Sequence, residues 1–263
     1  MVNEGGKDNE AFKFPLNSAI SFGHSQFWYV RGRAASGRGG GNPHFRCYII
    51  SQQTPRPATS VTLKDQFLED VTLTIDEPLQ FCAPTSKNGL EIEEPEEHLT
   101  MYGAAANLSP HLIVQTRDQF GPRTLEAVAA RVLLVPTQKL TVEGVPTGFG
   151  FPKKLNHSWC YQVNGEPVDA DVTLEDQFRS DTLRVEQPVL FCNPVEKSVG
   201  GKVAAKIVER EVHLTCYDLH GPQRTEATKV GIFNQFEEDT FTITAFELLC
   251  VPSEKLGFQP VEG

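Results

Sequence analysis

A chain of 263 residues with 39% hydrophobic content is long enough for two ordinary domains, each with a buried core. No run approaches the roughly 20 apolar residues of a membrane-spanning helix, and Met1 to Glu10 is polar, so a helical span is excluded and a signal peptide is expected to be absent or removed. The formal charge of -10 at pH 7 argues against a duplex nucleic acid partner, whose phosphates call for clustered Lys and Arg.

Residues 1–43 read as an arm that stands outside the rest of the pattern. Phe22, Phe27, Trp28 and Tyr29 lie in an apolar, aromatic stretch, and a tether rich in Gly and Arg follows, beginning at Arg31 and Arg33. A strand on a loose tether can pair with its own first domain or add to a neighbour's sheet edge, which makes these residues the candidate partner-binding set.

From residue 44 the chain repeats one unit of about 55 residues four times. The first copy runs from His44, Cys47 and Tyr48 through Asp65, Gln66 and Phe67 to Cys82, Pro84 and Lys87. The second carries His98, Met101, Tyr102, then Asp118, Gln119, Phe120, then Leu134, Pro136, Lys139. The third has His157, Cys160, Tyr161, Asp176, Gln177, Phe178, Cys192, Pro194 and Lys197; the fourth has His213, Cys216, Tyr217, Asn234, Gln235, Phe236, Cys250, Pro252 and Lys255. Units one and three share fine detail, as do units two and four, so the higher repeat is a pair. This predicts two domains, 44–140 and 157–257, a linker rich in Gly and Pro at 141–156, and a tail at 258–263.

In unit one, Val61, Leu63 and Phe67, then Val71, Leu73 and Ile75, alternate with polar residues, and units three and four copy the pattern. Period two means half-buried strands, about four per unit. The fold class expected is all-β: two tandem disulfide-stapled β-sandwich domains, with a closed β-barrel of two intertwined units as the other solution. Residues 125–132 and 202–210 are read as possible short helices.

Cysteine usage supports pairing within units. Units one, three and four carry two cysteines at matched places and unit two has neither, so joint absence predicts Cys47 with Cys82, Cys160 with Cys192, and Cys216 with Cys250. Each bridge closes a loop of about 32 to 36 residues, worth roughly 4 kcal/mol in the chain-entropy model. Such bridges imply an oxidising, extracytoplasmic compartment. No pair has the spacing of a zinc knuckle.

Recurrence also weighs the polar residues, because a catalytic site is built once and a structural device in every copy. The four histidines are read as repeated structural hydrogen bonds ahead of metal or ligand contacts. The Asp of Asp-Gln-Phe shares strand parity with inward-facing neighbours, which predicts a strand end where its side chain bonds nearby backbone. Asn234 replaces it in unit four, a swap that a general base or a metal ligand would not tolerate. The acidic run containing Glu93, Glu94, Glu96 and Glu97 is a weak candidate for Ca²⁺, read first as a solvated loop. Sequons stand at Asn107 and Asn156. Motifs for a nucleophile elbow, a zincin, a phosphate loop and a dinucleotide fold are all missing, so no catalytic residue and no cofactor is assigned.

The pattern H-x-x-C-Y, D-Q-F, C-x-P-x-x-K resembles a domain of unknown function found, often in tandem, in predicted secreted and surface proteins of bacteria. The resemblance covers residues 44–255 and implies an extracellular, β-rich module without implying a reaction. Unit two departs from it at Met101 and Leu134, and unit four at Asn234. The expectation is a non-enzymatic extracellular or cell-surface protein that assembles or adheres through a rigid β platform and its arm, with a protein partner or a second copy bound, or a surface polysaccharide. A carbohydrate-binding module is the first alternative, with Trp28, Tyr29, Trp159 and Phe258 as its few aromatic candidates. A hydrolase with a carboxylate pair between the two domains is the second.

Overall fold

The computed structural model describes residues 43–52, 56–106 and 108–261. The aromatic and basic residues of the arm, from Phe22 to Arg33, and the sequon residue Asn107 lie outside them. The described chain is all-β. Unit one supplies β1 (His44–Gln52), β2 (Thr59–Lys64), β3 (Val71–Ile75) and β4 (Pro78–Lys87). Unit two supplies β5 (His98–Gly103), β6 (Leu112–Asp118), a long β7 (Gly121–Val142) and a short return strand, β8 (Val145–Pro146). Unit three gives β9 (Ser158–Gly165), β10 (Ala170–Glu175), β11 (Ser180–Val185) and β12 (Pro188–Pro194), followed by β13 (Glu196–Val199) and β14 (Lys202–Ala205). Unit four is two long strands, β15 (His213–Phe233) and β16 (Glu238–Pro260).

Two strands of every unit join one antiparallel ring, in the order β1, β4, β5, β7, β9, β12, β15, β16 and back to β1. Closure removes the edges that an open sheet would expose. Side chains alternate across each strand, so Tyr48 and Phe81 face outward while Cys47 and Cys82, opposite each other in register, face into the ring. Met101 and Leu134 are register partners in the same way, which is why an apolar pair replaces a bridge there.

The middle of each unit leaves the ring as a hairpin and folds back over its outer face: β2 with β3, β6 with the start of β7, β10 with β11, and the far ends of β15 and β16. Each hairpin then pairs with the outgoing strand of the unit two places away. Leu174 in β10 aligns with Lys87 in β4, Leu63 in β2 with Lys197 in β13, Val230 in β15 with Val142 in β7, and Val114 in β6 with Phe258 in β16. On the solvent side, Thr62 meets Thr72 at 2.8 Å and Thr173 meets Thr182 at 3.1 Å, cross-strand pairs that suit an exposed face.

Sheet against sheet, this makes two sandwich-like cores. One holds Val61, Ile75, Val114 and Leu125 of the first two hairpins over Leu133, Trp159 and Phe191 of the ring. The other holds Val172, Val185, Ile232 and Phe241 of the last two hairpins over Tyr48, Phe81 and Leu249. The expected boundary between 44–140 and 157–257 does not separate them. Ring strands of units two and three line the first core, those of units four and one line the second, and β1 pairs with β16 to join the two ends of the repeat. The segment 141–156 is not a free linker either. Glu143 and Gly144, at φ of 49° and 78°, make the two-residue turn from β7 into β8, and the Phe149 carbonyl accepts from Gln138 Nε2 at 2.6 Å. Residues 125–132, considered for a helix, lie within β7, where Leu125 and Ala127 face a core. Of 202–210, also considered, the first part is β14.

Candidate functional site

The repeated polar residues meet in four equivalent clusters on the outer face of the ring, each built from three units. In every cluster an Asp-Gln-Phe turn, or Asn-Gln-Phe in unit four, delivers its side chains to a tyrosine of the unit two places away. Asp65 Oδ1 accepts from the backbone N–H of Phe67 at 2.8 Å and of Leu68 at 2.9 Å, a local turn that ends β2. Its Oδ2 faces the other way and accepts from Tyr161 Oη at 2.9 Å and Asn193 Nδ2 at 3.1 Å. Asp176 binds Phe178 N–H at 2.8 Å and takes the Tyr48 hydroxyl at 2.8 Å; Asp118 binds Phe120 N–H at 2.8 Å and takes the Tyr217 hydroxyl. The phenylalanines of the four turns lie against the same tyrosines, with ring centroids 5.1 to 5.2 Å apart.

Unit four shows how an amide performs the same task. Asn234 Oδ1 accepts from Phe236 N–H at 2.9 Å and keeps the turn, while its Nδ2 donates to Tyr102 Oη at 2.7 Å. The hydroxyl, now an acceptor, gives its own proton to Glu237 Oε1 at 2.6 Å. Asn234 and Glu237 therefore form one exchange against the Asp of the other units.

The histidine and lysine that open and close each unit come next to these turns. The Gln of the following unit bonds each of three histidines: Gln119 with His44 at 3.0 Å, Gln177 with His98 at 3.3 Å, and Gln235 with His157. His98 and His213 stack on Phe81 and Phe191 at 5.3 and 5.5 Å. Burial, aided by Lys139, Lys197 and Lys255 respectively, holds His98, His157 and His213 down to about 3, so all three are neutral. The lysines are pushed down by burial as well, Lys139 and Lys255 to about 8 and Lys197 to about 7. Their amines lie over aromatic rings: Lys197 is 4.2 Å from the Phe236 centroid, Lys87 is 5.0 Å from Phe120, and Lys255 is 5.0 Å from Phe67.

Three residues break the repeat inside the clusters. Arg46, fully buried, occupies a place held by Thr100, Trp159 and Thr215 elsewhere. It pairs with Asp176 at 3.4 Å and with Asp181 at 3.0 Å, and donates to the Leu174 carbonyl at 2.7 Å. Asn193, also fully buried, stands where the other units have Ala83, Val135 and Val251. Asn234 is the third.

The six cysteines form three bridges inside the ring, Cys47–Cys82, Cys160–Cys192 and Cys216–Cys250, and Cys47 Sγ lies 3.8 Å from Cys250 Sγ. The acidic run does not converge on a cation. Glu94 pairs with Lys154, Glu97 is buried and pushed up to about 7 by burial and then by Glu94, and among the described residues no three His, Cys, Asp or Glu groups are placed to hold a metal. Asn156 is closed to a glycan, since its Nδ2 donates to the Glu209 carbonyl at 2.6 Å and its Oδ1 accepts from Val208 N–H at 2.7 Å. Trp159 is fully buried, with its indole N–H on the Ala104 carbonyl at 3.2 Å, so it offers no sugar platform; Phe258 is 45% exposed.

One carboxylate pair was not foreseen. Glu247, bonded by Gln80 Nε2, is pushed up to about 7 by burial and then by the Asp218 carboxylate. Nothing in the local sequence marks it, because Asp218 and Glu247 sit on different strands.

No curated protein and no solved structure matches the chain. Residues 104–252, more than half of the chain, match the model of a family described as a repeat of unknown function (DUF7450), and the chain belongs to that family.

Proposed function

We propose that this protein is a non-enzymatic structural and interaction module of an extracytoplasmic surface, a rigid β platform that assembles or adheres through its amino-terminal arm. The observation that carries the reading is the use made of the recurring polar groups. Histidine, tyrosine, lysine and the Asp-Gln-Phe turn of each unit are engaged with other units, so the repeat serves to lock the ring rather than to face a substrate. The three disulfides inside the ring suit an oxidising compartment. They also suit a body that has to keep its shape under proteolysis or load.

The test is sedimentation of the full chain and of a chain lacking residues 1–43, over a wide concentration range, together with a panel of glycoside and ester substrates. Self-association that is lost with the arm supports the reading. Turnover of a substrate by the full chain, abolished by Glu247→Gln, overturns it.

A further inference from the structure

The four clusters are alike in kind but not in content, and the departures from the repeat are where individual chemistry arises. Asn193 brings a carboxamide into a cluster that already holds a lysine and an aspartate. Its Nδ2 donates to Asp65 Oδ2 at 3.1 Å, and its Oδ1 accepts from Lys255 Nζ at 3.4 Å. Asp65 belongs to unit one, Asn193 to unit three and Lys255 to unit four. Aromatic rings wall the site: Lys255 lies 5.0 Å from the Phe67 centroid and 5.1 Å from that of Phe258, and Phe67 contacts Tyr161 and Phe191.

No other cluster holds all three groups together. Ala83 and Val251 occupy the amide position near Lys139 with Asp176 and near Lys87 with Asp118. In the cluster of Asn234 the amide faces Tyr102 and Thr137, and Lys197 Nζ has no hydrogen-bond partner among the described residues.

We propose that Lys255 and Asn193 are joined by an isopeptide bond, formed by the protein itself with Asp65 as the proton-transfer group. Asp65 first takes a proton from the Lys255 ammonium. The lone pair of the neutral amine then forms the Nζ–Cγ bond with Asn193 while the carbonyl electrons move onto Oδ1. Asp65 hands its proton to Nδ2, the carbonyl re-forms, the Cγ–Nδ2 bond breaks and ammonia leaves. Asp65 removes the surplus proton from Nζ, leaving a neutral secondary amide, and that proton departs with the ammonia as ammonium. Nothing is oxidised or reduced and no outside reagent is needed.

The surroundings favour each step. Burial brings the Lys255 amine down to about 8, which supplies neutral nucleophile near neutral pH, and burial raises the Asp65 carboxyl, which lets it carry a proton. Setting Lys255 against the Asn193 carbonyl oxygen at 3.4 Å and Asp65 against the Asn193 amide nitrogen at 3.1 Å replaces an encounter by a fixed approach. Loss of ammonia to solvent makes the reaction one-way. The bond would tie β16 to β12 between residues 62 apart in sequence.

The experiment is intact mass spectrometry of the full chain after reduction, followed by proteolytic mapping. The expected mass lies about 17 Da below that of the sequence, with a branched peptide joining the segments around Asn193 and Lys255. Cyclisation of Asn193 onto the next backbone nitrogen cannot mimic this, because Pro194 has no N–H. Asp65→Asn keeps the turn, as Asn234 does in unit four, and is expected to fold with the mass loss abolished. Folded wild-type protein that yields linear peptides with intact Asn193 and Lys255 overturns the proposal. A branched peptide at undiminished yield in Asp65→Asn overturns the role of Asp65.

Discussion

The Tyr161 hydroxyl donates to the Asp65 carboxylate at 2.9 Å, and the two residues belong to units that lie two apart along the chain. Tyr48 with Asp176 repeats the relationship in the opposite direction, from unit one to unit three. Units one and three therefore clasp each other, as units two and four do through Tyr217 with Asp118 and Tyr102 with Asn234. Tyr161→Phe removes one donor from a buried carboxylate and is expected to cost about 1–3 kcal/mol in denaturant unfolding under non-reducing conditions. An unchanged midpoint would show that the clasp carries no stability.

Arg46 carries a buried charge whose partners come from the third unit. Arg46→Thr copies the residue found in units two and four and leaves Asp176 buried without its cation. Breaking a buried pair from one side is expected to cost about 3–5 kcal/mol. Adding Asp176→Asn should recover part of the loss, since Asn234 shows that an amide can hold the turn. A double-mutant cycle measures the coupling.

Bridge removal has a template inside the chain. Cys216→Met with Cys250→Leu copies Met101 and Leu134, which face each other at the equivalent place. The variant is expected to fold with the same circular dichroism spectrum and to lose about 2–4 kcal/mol. Cys216→Ala alone is expected to do worse, because Cys250 Sγ lies 3.8 Å from Cys47 Sγ and the freed thiol can exchange with that bridge. Non-reducing peptide mapping distinguishes the two.

Burial holds Lys197 down to about 7 and Lys139 to about 8, against 10.5 when exposed. A depressed lysine means that the unfolded chain binds more protons between those values, so stability rises with pH across that window. The melting temperature is therefore expected to climb between about pH 7 and about pH 10 rather than level off. Lys197→Met should flatten the climb and raise the melting temperature at neutral pH. A wild-type profile that is flat across the window contradicts the burial of these amines.

Much of this was legible in the residues. Four copies in register showed the strands, and the joint absence of Cys at Met101 and Leu134 pointed to pairing within units. Asp-Gln-Phe parity pointed to a turn. What the repeat alone did not reveal was which units touch. A period fixes each strand's inner and outer faces but not its neighbour, so a boundary at 141–156 was as compatible with the pattern as a ring. A trace of the true contacts existed in the fourth unit, where Asn234 arrives together with Glu237 after Phe236. That joint change is intelligible only once Tyr102 is placed between them. Arg46 and Asn193 stand out as departures from the repeat, yet the carboxylates they bond, Asp181 and Asp65, lie more than a hundred residues away in sequence.

The central claim is that all four units close a single ring, with β1 paired to β16. The most direct measurement is to produce residues 44–156 and 157–261 as separate chains and follow the thermal unfolding of each under oxidising conditions. A ring predicts that neither half shows a cooperative transition alone and that mixing them during oxidation restores one transition at the temperature of the intact repeat. Two halves that each unfold cooperatively on their own would contradict it.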